Sequence, residues 1–303
     1  MKKELPKLQA DSPSAALSPD IRAGVLIEAL PYLKEFYGKT IVVKYGGNAM
    51  IDEALKTQVM QDVTLLQYVG IRPILVHGGG PEINALLKQI GHASEFVDGL
   101  RVTDEVTMEV VEMALAGKVN KGIVSLLNLQ GAKAVGLSGK DANLIVAKKM
   151  FSDKGDLGFV GDVERVNIEI LDLLSGQGFV PVVCSVAVGR GGETYNVNAD
   201  HVAGHIAAAV KAEKLILLTD VEGIYADFSD KSSLINEMDI ERAQELINTG
   251  VADKGMIPKL EACITALNAG VRRCHLVDGR QPHSLLIEIF TNAGIGTMVR
   301  SNL

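Results

Sequence analysis

Short, nearly continuous apolar runs alternate along the chain with longer segments whose apolar residues recur at helical spacing. The runs Thr40–Tyr45, Pro73–Val76, Ala134–Leu137, Leu144–Ala147, Phe179–Ser185, Leu215–Leu218 and Arg273–Val277 predict strands. They do not alternate polar with apolar, which is the pattern of a parallel sheet covered on both faces. A helix is expected over Glu53–Tyr68, and another opens at Pro81, the residue favoured at a first helical position. In such sheets, ligands gather at the carboxyl ends of the strands, so the turns there are the places to look for chemistry. The segment Lys148–Val166, with Gly155, Gly158 and Gly161, predicts a hairpin insertion, and Gly189–Gly192 a polar loop.

Ahead of the first strand, residues 1–18 are polar and broken by Pro6 and Pro13, which predicts a loosely held arm. Ser18 then suits an N-cap, with Pro19 and Asp20 in the first turn. Ile21, Val25, Leu26, Leu30 and Leu33 form one apolar stripe, and Pro31 predicts a kink. This helix has no evident place in the core, so its stripe is a candidate for packing on another subunit. A lobe boundary is expected near Ala212.

Charge narrows the function. Thirty basic against 37 acidic residues leave a net charge of −7, which argues against a general nucleic-acid binder. No run of about 18 apolar residues predicts a membrane span, and the N-terminus lacks the apolar core of a signal peptide. A cytoplasmic protein with reduced thiols is expected, because Cys184, Cys263 and Cys274 form no CxxC pair.

Several turns carry candidate chemistry. Lys44-Tyr45-Gly46-Gly47 ends a strand with a lysine and two glycines, a backbone arrangement that suits an anion before a helix. His77-Gly78-Gly79-Gly80-Pro81 is stronger, since three glycines abut a helix start. No GxxxxGK[ST] loop, HRD or DFG motif occurs, and Gly294-Ile295-Gly296 lacks the third glycine of a dinucleotide fingerprint. Any phosphate is therefore handled by a different solution. Arg101, in Asp98–Thr103, suits a bidentate carboxylate or a plain surface salt bridge. Asn196-Val197-Asn198-Ala199-Asp200 clusters two amides and a carboxylate where an N-cap is also expected. Thr219–Tyr225 ends a strand with polar groups, and Lys254–Lys259 brings lysines beside Gly255 and Pro258. His201 and His205 sit four apart without an evident third ligand, so no metal site is expected there.

Taken together, Val43–Gly47, Val76–Pro81, Asp98–Thr103, Asn196–Asp200, Thr219–Gly223 and Gly255–Lys259 resemble the amino-acid kinase family, over about Val25 to Met298. The Asp98–Thr103, Asn196–Asp200 and Gly255–Lys259 segments resemble its members that act on N-acetyl-L-glutamate. The resemblance implies an α/β fold, an open αβα sandwich with a mainly parallel central sheet in two lobes. Residues 1–37 would be an arm and oligomerisation helix, 38–212 the substrate lobe, and 213–303 the nucleotide lobe. It implies direct in-line transfer of the ATP γ-phosphoryl group to the substrate's side-chain carboxylate, the second step of arginine biosynthesis, with Mg²⁺ arriving on ATP. Lys44 and Lys259 would flank the transferring group and Asp200 would orient them. Gly79, Gly80, Arg101 and Asn196 would hold the substrate. Gly46, Gly47, Thr219, Asp220, Gly223 and Tyr225 would join the two lysines in binding ATP.

The helix before the first strand resembles that of the family's arginine-sensitive members, which implies a hexamer built as a trimer of dimers. His275, Glu288 and Gly294 resemble their site for L-arginine as effector. A PII-type partner known for some relatives is not assignable from this sequence. The rival readings are a sister kinase acting on aspartate, glutamate, carbamate or a nucleoside monophosphate, and a non-catalytic arginine sensor.

Overall fold

A computed structural model describes residues 17–50, 52–227, 229–253, 255–291 and 294–301. The expected arm falls almost wholly outside these residues, as does Lys254. The described chain opens with helix α1 (Pro19–Phe36), capped by the Ser18 hydroxyl, which accepts from the Ile21 N–H. It continues past Pro31 as one helix. Ile21, Val25, Leu26, Ile27 and Leu30 are exposed, and only Phe36 is buried, so the apolar stripe lies open in the single chain.

The first half then runs β1 (Thr40–Tyr45), a 3₁₀ turn (Gly47–Met50), α2 (Glu53–Tyr68), β2 (Arg72–His77) and α3 (Gly80–Gln89). A small hairpin, β3 (Phe96–Val97) and β4 (Leu100–Arg101), leads into α4 (Glu105–Glu112), a π-helical stretch (Met113–Val119) and α5 (Asn120–Leu129). Next come β5 (Ala134–Leu137), β6 (Ile145–Lys149), β7 (Val160–Val166), α6 (Glu169–Gly176), β8 (Val180–Cys184), β9 (Val186–Val188) and β10 (Thr194–Val197). The remainder is α7 (Ala199–Ala209), β11 (Lys214–Thr219), β12 (Ile224–Tyr225), β13 (Leu234–Ile235), β14 (Glu237–Asp239), α8 (Ile240–Asn248), α9 (Ile257–Asn268), β15 (Arg273–Asp278), α10 (Ser284–Phe290) and β16 (Thr297–Arg300).

One eight-stranded sheet, in the order β14-β16-β15-β11-β1-β2-β8-β5, runs through the molecule. Pairing is parallel from β15 to β5, and β16 pairs antiparallel to β15. The expected boundary near Ala212 falls between α7 and β11, yet β11 pairs with β1. Any two lobes therefore share this sheet. The expected insertion is a hairpin of β6 and β7, but β9 and β10 close it into a four-stranded barrel that the sequence pattern did not suggest. β3–β4 turns at Asp98 and Gly99, both at positive φ, so Arg101 sits on a strand rather than in the turn itself.

Side chains alternate across β1. Ile41, Val43 and Tyr45 pack toward α2, α5 and α10, while Val42 packs toward α7, α8 and α9. Strand period therefore sends Lys44 to the α7/α9 face, at the carboxyl edge of the sheet. Helices α7 and α9 approach closely there, because Gly204 has no Cβ; one would stand 2.7 Å from the Ala262 carbonyl oxygen.

Candidate active site at the carboxyl edge of the sheet

Lys44 ends β1, Asp200 lies in the first turn of α7, and Lys259 in the first turn of α9. Lys44 Nζ lies 3.1 Å from Asp200 Oδ1, and Lys259 Nζ 3.1 Å from Asp200 Oδ2. Lys259 also donates to the Gly255 carbonyl at 3.1 Å. Asp200 is buried, which favours its neutral form, but the two ammonium groups outweigh burial and hold its pKa below the usual carboxylate value. Asn198 caps α7, accepting from the Asp200 N–H at 2.8 Å, and so fixes the backbone that carries the acid. Residues 44, 200 and 259 thus form a single bridged unit with two cations beside each other.

Glycine turns surround this unit. A Cβ at Gly46 would stand 2.6 Å from Lys44 Nζ. Gly47 has φ +66, and its Cβ would meet the Asp220 carboxylate at 2.3 Å. Only glycine combines that backbone with that approach. Asp220, just past the end of β11, therefore meets the first glycine turn. Gly223 and Tyr225 lie further along, where Gly223 packs on Thr297 and Leu234 and the Tyr225 hydroxyl donates to Glu222.

The second turn ends in Gly79, which caps α3 without a side chain, and a Cβ at Gly80 would meet nothing within 4 Å. The start of α3 is left open to an anion. Arg101 is nearby and buried, but the surface-salt-bridge alternative does not describe it. Its Nη1 donates to Ser94 Oγ at 2.7 Å, its Nη2 to Asn84 Oδ1 at 2.7 Å, and its guanidinium lies 4.7 Å from the Phe96 ring centroid. Burial lowers its pKa. Asn196 donates to Thr103 Oγ1 at 3.2 Å, and the Thr103 hydroxyl donates in turn to the Arg101 carbonyl at 2.8 Å. Thr103 thereby ties Arg101 to Asn196. Asn84, Ser94 and Phe96 carry no local sequence signal; only the fold brings them here.

Among the described residues, no group of three His, Cys, Asp or Glu side chains is placed to hold a metal ion. Asp200 already pairs both oxygens with lysines. The residues present fit a cation held mainly by nucleotide phosphates. His201 lies 2.9 Å from Glu261, and the three cysteines are free and buried.

A second cluster lies at the opposite edge, at the amino ends of β11 and β15. A cavity of about 320 Å³ is lined by Tyr32, Lys214, Arg273, His275, Glu288 and Gly294, among others. His275 Nδ1 lies 2.7 Å from Glu288 Oε1, and Glu288 Oε2 accepts from the Ile295 N–H at 3.0 Å. Burial lowers the His275 pKa and keeps the ring neutral. Burial also opposes the charge on Glu288, but the hydrogen bond from His275 and the neighbouring positive groups hold its pKa low. The three residues singled out from sequence do come together.

The amino acid kinase profile matches residues 39–278, which includes both lysines and Asp200. The chain is 58% identical over 278 residues to the acetylglutamate kinase of Thermoanaerobacter pseudethanolicus, covering 92% of this chain and 93% of that one. It is 58% identical to the acetylglutamate kinase of Nostoc sp., with the same shares covered. Among solved structures, N-acetylglutamate synthase from Neisseria gonorrhoeae, complexed with coenzyme A and N-acetyl-glutamate, is similar at 26% identity with a TM-score of 0.82. That likeness covers 93% of this chain and 64% of that one. Carbamate kinase from Giardia lamblia, at 17% identity and a TM-score of 0.64, shares the fold over 88% of this chain. With two lysines bridged by one buried acid inside the matched span, the chain is a kinase that belongs to the amino acid kinase family.

Proposed function

We propose that this kinase transfers the γ-phosphoryl group of ATP to the side-chain carboxylate of N-acetyl-L-glutamate, forming N-acetyl-L-glutamyl 5-phosphate. The observation that carries this reading is the Lys44–Asp200–Lys259 unit, with both ammonium groups 3.1 Å from one carboxylate. Donor and acceptor are both anions, and the transferring group spreads negative charge over its oxygens. Two cations held beside each other by a buried acid neutralise that charge without moving during the reaction. Asp200 stays ionised and orients the lysines rather than taking a proton.

Gly79, Gly80, Arg101 and Asn196 hold the substrate, with Arg101 reaching its α-carboxylate. Gly46, Gly47, Thr219, Asp220, Gly223 and Tyr225 serve the nucleotide. Residues 38–212 carry the substrate and 213–303 the nucleotide across their shared sheet. Mg²⁺ carried on ATP would supply charge screening of its phosphates, and Asp220 is the acid beside the nucleotide turn that would face it. The substrate assignment is supported by the relatives at 58% identity that are named for it.

The reading extends to regulation. His275, Glu288 and Gly294 form a site for L-arginine as feedback effector, supported by their convergence on one cavity. The exposed stripe of α1 joins subunits into a cytoplasmic hexamer.

A coupled assay of ADP release tests the catalytic reading. Fast turnover is expected only with N-acetylglutamate among aspartate, glutamate, carbamate and nucleoside monophosphates; a better rate with any of these overturns the substrate assignment. The same assay with millimolar arginine is expected to show inhibition, and an unchanged rate removes the effector. Light scattering of a chain lacking residues 1–37 is expected to show dimers; a persistent hexamer removes the role of α1.

A further inference from the structure

His77 ends β2 and is fully buried, with its ring on the α5 side of the sheet. It is not placed to touch substrate, and nothing in the transfer chemistry described above uses it. Its two ring nitrogens are both engaged. Nδ1 lies 2.8 Å from the Gly78 carbonyl oxygen, and Nε2 lies 3.0 Å from Asn120 Nδ2.

The proton positions follow from the partners. Asn120 Nδ2 also faces the Val182 carbonyl at 2.9 Å, and Asn120 Oδ1 accepts from Lys121 Nζ at 3.1 Å. The Asn120 amide is thus fixed with its NH₂ toward His77, and an NH₂ group only donates. Nε2 must accept, so Nδ1 carries the proton and donates to the Gly78 carbonyl. Burial supports this neutral form by pushing the His77 pKa down to about 4. Asn120 can lie this close to β5 because Gly136 lacks a Cβ, which would stand 1.8 Å from Asn120 Oδ1.

A planar trans peptide points its N–H away from its C=O. Pinning the Gly78 carbonyl toward the buried ring therefore turns the Gly79 N–H away from that ring. Leu115 and Val119 of the π-helical stretch crowd Gly79, where a Cβ would stand 2.6 Å from Leu115 Cδ2.

We infer that His77 and Asn120 are positioning residues for phosphoryl transfer, holding the Gly78–Gly79 peptide so that its N–H donates to the reacting oxyanions. This rests on the kinase reading above, in which Gly79 holds the substrate whose carboxylate reacts. Asn120 fixes the ring, the ring fixes the carbonyl, and the carbonyl fixes the donor.

The test separates the two ring nitrogens. An asparagine side chain reaches about where Nδ1 sits, and a glutamine reaches toward Nε2. His77→Asn keeps a donor for the Gly78 carbonyl, and His77→Gln does not. With MgATP and N-acetylglutamate, H77Q is expected to lose about 10²-fold in kcat, the usual consequence of a misplaced reacting group. Both KM values should change by less than about threefold, because a donor used in the transition state is lost rather than uniform binding. H77N is expected to recover about tenfold or more of the lost kcat. Equal kcat in the two variants, or losses that simply follow Tm, overturns the inference. Should neither His77 variant fold, Asn120→Ala keeps the ring and removes its anchor. Its kcat is expected to fall about tenfold at unchanged KM, and an unchanged kcat overturns the inference. If the wild type prefers another acceptor, the substrate reading falls, and the same comparison run on that acceptor still decides this one.

Discussion

The two edges of the central sheet each bury an acid, and they neutralise it differently. At the carboxyl edge, Asp200 faces two lysines, both at 3.1 Å. At the amino edge, Glu288 is bonded to a neutral histidine and a backbone N–H, with Lys214 further off. The first acid has its charge fully matched, so its value is geometric: it spaces two cations. The second keeps its charge without a direct ion pair, beside a cavity of about 320 Å³. A buried carboxylate of that kind suits a cationic ligand such as a guanidinium, which supplies the missing partner.

Breaking the carboxyl edge should have the largest effect. Lys44→Ala or Lys259→Ala is expected to lower kcat by about 10²–10³, as for loss of one preorganised charge donor. The fold should survive, checked by circular dichroism beside the ADP-release assay. Near-normal turnover in either variant removes that lysine from the mechanism and the contrast with it.

Acid probes the histidines that each edge buries. The folded pKa of His77 is lowered to about 4 from an ordinary value of 6.5. Its contribution to stability is complete above about pH 6.5 and is lost as the pH falls toward about 4. His275 acts in the same direction. Asp62, raised to about 6 by burial, acts in the opposite sense, so a single melting curve mixes the two. The difference between proteins does not. Between pH 6.5 and 4, His77→Asn should lose about 3 kcal/mol less than the wild type, measured by denaturant unfolding at each pH. Parallel pH curves would show that His77 is not held neutral.

Arg101→Ala should act on substrate alone. KM for N-acetylglutamate is expected to rise about 10-fold to 100-fold, the worth of a charged hydrogen bond of about 1.5–3 kcal/mol, with the KM for ATP unchanged. A change confined to ATP would move Arg101 to the nucleotide. The smallest effect should come from the amino edge. Glu288→Gln is expected to raise the arginine concentration for half-inhibition about tenfold and leave the uninhibited kcat unchanged. Retained arginine sensitivity would erase the functional difference between the two edges.

The strands and their glycine turns were legible because they obey local rules. The runs at β1, β2, β5 and β15 match the sequence pattern almost residue for residue. The cap at Ser18 and the positive-φ turn at Asp98–Gly99 were also local. The barrel of β6, β7, β9 and β10 was not, because its closure depends on pairings between strands distant in sequence. Pro31, expected to kink α1, lies inside a helix that continues through it. The companions of Arg101 were invisible for the same reason as the barrel. Asn84 and Ser94 are ordinary polar residues until the β3–β4 hairpin folds beside α3.

What the sequence settled by itself is a layered α/β fold, a set of glycine turns at strand ends, and a short roster of cations and acids suited to phosphate and carboxylate. Period, turn chemistry and residue type suffice for that, since each acts over a few residues. Only the tertiary structure decided that Lys44 and Lys259, far apart in the chain, share the two oxygens of Asp200. It also decided that the His77 ring meets the Gly78 carbonyl and Asn120. Distances between side chains on different elements follow from how helices pack on a sheet, and no local pattern encodes them.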